Sequence, residues 1–115
     1  MNKTGERQNF LDIVFSRSTE FEWAADTDGI VTIFIQNKGF WNKFAQKFLH
    51  KAAVSKLTLD TVGSFIWLNI DGARDVYSIG QSVKKQFKQA AEPLYERLSI
   101  FMKQLERNGL TERKN

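Results

Sequence analysis

The sequence predicts an α+β fold: a small three-stranded antiparallel sheet packed on three C-terminal helices, winged helix-turn-helix-like in plan. Three observations carry that expectation. In residues 21–36 and 54–60 apolar residues alternate around turn signals, and from Thr61 onward they recur at helical spacing. Within the helical half, the stretch GSFIWLNIDGARDVYSIGQSV breaks at Asp71-Gly72 and then resumes. Two apolar helices joined by so short a bend make a helix-turn-helix unit, and a sheet this small needs helical stripes to cover one of its faces.

The elements follow in order. Residues 1–20 read as an N-terminal extension, polar except for Phe10, Leu11, Ile13, Val14 and Phe15, which dock as a short helix or strand or stay loose. In FEWAADTDGIVTIFIQN, Phe21 and Trp23 alternate, Asp28-Gly29 signals a turn, and β-branched and aromatic residues follow, so a β-hairpin is expected. Gly29 would supply the positive φ of the turn. From Asn37 to Ala53 the period changes: Phe40, Trp41, Phe44, Ala45, Phe48 and Leu49 share one arc, flanked by Lys43, Lys47 and Lys51. This predicts a basic amphipathic helix, inserted at 39–52 before the third strand.

That strand, Val54–Asp60, places Leu57 and Leu59 on the core face and Val54, Lys56 and Thr58 on the other. Asp60 is the expected cap of a helix from Thr61 to Ile70 with Val62, Phe65, Ile66 and Ile70 inward, stopped by Asp71-Gly72. Asp75 then caps Val76–Lys88, whose stripe is Val76, Ile79, Val83 and Phe87. Gly80 inside that helix costs about 1 kcal/mol relative to Ala and so marks close packing against a neighbour. Pro93 opens the last helix, which runs through Leu94, Tyr95, Leu98, Phe101, Met102 and Leu105 to Asn108-Gly109. The tail LTERKN reads as frayed.

Composition limits the function. The 115 residues suit a single domain spanning 1–115, and 42% hydrophobic residues with ten Phe and three Trp suffice for a core. Without cysteine there is no disulfide framework, Cys-based zinc site or thiol nucleophile. No secretory signal or membrane span is legible, so a soluble cytoplasmic protein is expected. The net charge of +4 is too modest to name a partner. His50 is the only histidine, Asp60, Asp71 and Asp75 fall at helix ends, and the glycines form no phosphate-cradling motif. No enzyme, metal or cofactor is expected.

The stretch LDTVGSFIWLNIDGARDVYSIGQSVKKQF, followed by EPLYERLSIFMKQLERNGL, resembles the PqqD family, named for the small chaperone of the precursor peptide in pyrroloquinoline quinone biosynthesis. The likeness lies in the strand ending Leu59-Asp60, the helix start at Gly63–Trp67 and the break at Ile70-Asp71-Gly72. The helix opening Val76–Ile79 and the terminal Leu-x-x-x-Gly-Leu complete it. It spans about Ser55–Leu110, and these are packing motifs rather than catalytic signatures.

The resemblance implies a precursor-peptide recognition element. Such a domain holds the leader of a ribosomally made peptide as an added β-strand on the third strand, beside the last helix, and presents it to a modifying enzyme, a radical-SAM protein in the pyrroloquinoline quinone case. Carried over, the strand is Val54–Leu59 and the helix Leu94–Leu105. The peptide-binding candidates are Val54, Ser55, Lys56, Leu57 and Thr58 with Arg97, Phe101 and Gln104, and Lys56 and Arg97 would suit an acidic leader. The extra residues before the hairpin and the inserted helix depart from the family pattern; the insertion would cover the sheet, make a homodimer contact or close the strand edge.

Two rival readings accompany this one. A DNA-binding winged helix ranks second, because Glu92 and Glu96 beside Arg97, Lys103 and Arg107 give a mixed face that meets phosphates poorly. A membrane-peripheral or structural adaptor would use the basic amphipathic helix.

Overall fold

A computed structural model describes residues 9–36 and 54–114. The expected helix at 39–52, with its lysines and His50, lies outside the described residues. A 3-10 turn (Phe10–Asp12) leads to β1 (Phe15–Arg17), β2 (Glu22–Ala25), β3 (Val31–Gln36) and β4 (Val54–Thr58). Then come α1 (Thr61–Asn69), α2 (Val76–Phe87), a 3-10 turn (Lys88–Ala91), α3 (Leu94–Arg107) and β5 (Thr111–Arg113). The architecture is α+β, with two small antiparallel sheets, β1–β5 and β2–β3–β4, and three helices. No helix among the described residues is long and apolar enough to cross a membrane.

The hairpin forms where the alternation placed it, Trp23 opposite Ile33 and Ala25 opposite Val31. Gly29 takes φ +80° in the turn. Asp26 organises the turn, its carboxylate accepting the Asp28 and Ile30 amides at 2.9 Å each.

The terminal segments are part of the core. Ile13 and Phe15 are 2% and 1% exposed. The tail is a strand rather than frayed: β5 pairs with β1, and Leu110 and Thr111 are buried. The other edge of β1 stitches the bend between α1 and α2, with the Gly72 amide donating to the Phe15 carbonyl and the Val76 amide to the Ile13 carbonyl, both at 3.0 Å. The Asp71-Gly72 break is therefore held from outside as well as by its own Asx turn, in which the Asp71 carboxylate accepts from the Ala73 and Arg74 amides at 2.9 Å each.

Capping sets the helix starts. Asp60 accepts from the Gly63 amide at 2.7 Å and Asp75 from the Ser78 amide at 2.9 Å. The single inward stripe expected for α1 needs correction: Val62 and Phe65 are only partly buried, whereas Trp67 is fully buried. Helix α1 is packed on more than one side, so no one arc describes it. Trp67 meets Trp23 of β2 edge-on at 6.1 Å while Phe65 meets Phe87 of α2 edge-on at 5.3 Å. Gly80 lets α3 approach α2, since a Cβ there would stand 2.7 Å from the Tyr95 ring and 3.2 Å from Leu98. Along α3, Leu94, Leu98, Met102 and Leu105 face the core.

A second correction concerns β4. Leu59 is buried, but Leu57, expected in the core with it, is 38% exposed. It lies opposite Ile33, fully buried at the centre of the sheet, on a strand that has a described neighbour on one side only.

Candidate functional site

Strand β4 sits at an end of the order β2–β3–β4. The Leu59 amide donates to the Val31 carbonyl at 2.9 Å, which makes those two a hydrogen-bonded pair. Stepping along the register by twos, Ile33–Leu57 and Ile35–Ser55 are hydrogen-bonded pairs too. The backbone groups of Val54, Lys56 and Thr58 therefore point away from β3, toward the side on which no described strand lies.

The ladder ends in a side chain. At the Val31–Leu59 rung the Val31 amide donates instead to Ser64 Oγ at 2.8 Å, and that hydroxyl donates onward to the Leu59 carbonyl at 3.3 Å. Ser64, 1% exposed, thus ties β3, the end of β4 and the first turns of α1 together. The next carboxylate, Asp60, already caps the helix.

At this corner a cleft of about 250 Å³ opens between α1 and α3. Its floor includes Gly63, Ile66 and Leu98; Arg97, Phe101 and Gln104 of α3 line it, with Asp60 at the strand end. Phe101 lies close over the bare Gly63, where a Cβ would come 3.3 Å from its ring. Arg97 is held by one bond, Nη1 donating to the Ala90 carbonyl at 3.0 Å, which leaves its other donors free of protein partners among the described contacts. Ile100, 53% exposed, extends the apolar wall outward. A cleft of this size can take one or two side chains of a bound chain.

The residues expected to meet a ligand therefore fall into two groups. Arg97, Phe101 and Gln104 share the cleft. Lys56 and Thr58 do not join them; they lie with Thr32 and Phe34 along a depression on the outer face of the sheet. The physical reason is the period of two: Lys56 and Thr58 share one face of β4, and Leu57 takes the other. Among the described residues no group of three or more His, Asp or Glu is placed to hold a metal ion. Sequence reasoning missed Gly63 and Ser64, whose only signal was a pair of small residues inside an otherwise apolar helix start.

A family model described as coenzyme PQQ synthesis protein D (PqqD) matches residues 50–110, more than half of the chain. The chain belongs to the PqqD family. Family membership points to a non-catalytic peptide-binding partner in precursor-peptide biosynthesis. The match takes in β4, the three helices and the cleft between them, whereas β1, β2 and β3 of this PqqD-family protein lie outside it. No curated protein and no solved structure matches the chain.

Proposed function

We propose that this PqqD-family protein holds the leader of a ribosomally made precursor peptide by strand addition on β4 and presents it to a modifying enzyme. The observation that carries the reading is that, among the described residues, β4 pairs on one side only: the backbone N–H and C=O groups of Val54, Lys56 and Thr58 point away from β3, and an extended peptide satisfies such groups without a demanded sequence. The adjoining cleft supports it, offering an apolar floor and a tethered guanidinium at the end of the same strand. In this reading β2, β3 and β4 form the wing of a winged helix-turn-helix unit, α1 and α2 its bend, and α3 the helix facing the ligand. The protein supplies binding and orientation; the bond-making belongs to the partner enzyme.

The test is a titration of the ¹⁵N-labelled protein with a leader peptide from the same gene neighbourhood. Amide shifts concentrated in β4 and α3 are expected. Lys56→Pro removes an N–H that the β3 ladder does not use, so it leaves the free fold intact while weakening the complex at least tenfold. Unchanged affinity in that variant contradicts strand addition.

A further inference from the structure

Resting on strand addition at β4, we propose that the peptide is read in a fixed two-residue frame: an acidic side chain opposite Lys56, beside an apolar one opposite Leu57. Cross-strand neighbours share a face, so the rows already present in the sheet state what a fourth strand would meet.

On the inner face the row runs Trp23, Ile33, Leu57. Exposure along it ends abruptly, from 0% at Ile33 to 38% at Leu57. Among the described residues the row has no member beyond Leu57, and an apolar side chain placed there would complete it.

On the outer face the row runs Glu22, Phe34, Lys56. Glu22 stands two strands from Lys56, about 10 Å at ordinary strand spacing. Phe34 lies between, and Lys56 makes no ion pair among the described residues. Thr58, by contrast, is already engaged with Thr32, their hydroxyls 3.2 Å apart. The cation at the end of the described row is thus the group left to select a side chain, and a carboxylate opposite it is favoured.

The frame is strict because a one-residue slip exchanges the faces, setting the carboxylate against Leu57 and the apolar side chain beside the Lys56 ammonium.

The experiment uses acetylated, amidated heptapeptides of the form Ser-Thr-Leu-X-Leu-Thr-Ser with X as Glu or Lys, and a third with both leucines replaced by serine. Each is titrated into labelled wild-type, K56E and K56P protein while the β4 amides are followed. The expected result is preference for Glu over Lys in the wild type, with the ratio of the two affinities falling about tenfold in K56E, since one contact changes from attraction to repulsion and the other the reverse. Using the ratio removes the effect of overall charge. The leucine-free peptide binds several-fold more weakly. If β4 shifts occur and vanish in K56P, but the Glu-to-Lys ratio is the same in wild type and K56E, the frame is overturned and strand addition stands. Shifts absent from β4 with every peptide overturn both.

Discussion

Ser64 accepts the amide hydrogen of Val31 at 2.8 Å, a bond between positions 33 apart in the chain that takes the place of one of the two hydrogen bonds at the Val31–Leu59 rung. Ser64→Ala leaves a buried N–H and a buried C=O without this partner. The expected cost is about 1–3 kcal/mol, read from urea denaturation, with faster exchange at the Val31 amide. If stability is unchanged and the Val31 amide stays protected, the hydroxyl does not hold this corner.

Gly80→Ala should destabilise the fold although alanine is the better helix former. Its Cβ would stand 2.7 Å from the Tyr95 ring, so α2 and α3 must move apart, at about 1–3 kcal/mol for overpacking of this kind. A thermal melt at or above the wild-type midpoint would show that the helices have room the geometry denies.

Arg17 anchors the N-terminal strand to the helical half. Its Nη1 donates to the Trp67 carbonyl at 2.9 Å, and its guanidinium lies 4.9 Å from the centre of the Trp23 ring. Arg17→Ala is expected to lower stability by about 1–2 kcal/mol, since a hydrogen bond from a charged group is lost. Tryptophan fluorescence should shift, because Trp23 and Trp67 both border the guanidinium.

The bend at Asp71 predicts a small pH dependence. Hydrogen bonds from the Arg74 and Ala73 amides, with help from the Arg74 guanidinium, hold the Asp71 carboxyl below its ordinary value of 3.8. A carboxyl lowered in the folded state contributes stability that is present above 3.8 and is lost as pH falls through the folded value. Exposure to solvent keeps the effect slight. Stability measured between pH 5 and pH 2 should therefore decline less for Asp71→Asn than for the wild type; equal slopes would contradict this.

Much of this architecture was legible because local signals agreed with tertiary demands. The helix caps Asp60 and Asp75, the bend at Gly72, the close approach at Gly80 and the hairpin at Gly29 all took the roles their residue types favour. What escaped depends on contacts far apart in the chain. The strand at Thr111–Arg113 is too short and polar to announce itself and exists because Phe15–Arg17 lies beside it. Trp67 fell outside the single stripe expected for α1 because that helix is enclosed on several sides. At the candidate site, periodicity gives the faces of β4 but not their exposure: Leu57 shares the face of the buried Leu59, yet it is exposed on a strand that has one described neighbour.

The most direct measurement is amide hydrogen exchange along β4, with and without the leader peptide. Leu57 donates toward β3 and should be protected in both states; Lys56 and Thr58, whose N–H groups face the side of β4 without a described strand, should exchange fast alone and slow markedly in the complex. That alternating pattern is the signature of an added strand. Protection of Lys56 and Thr58 that is already present in the free protein, or that does not change with saturating peptide, would contradict it.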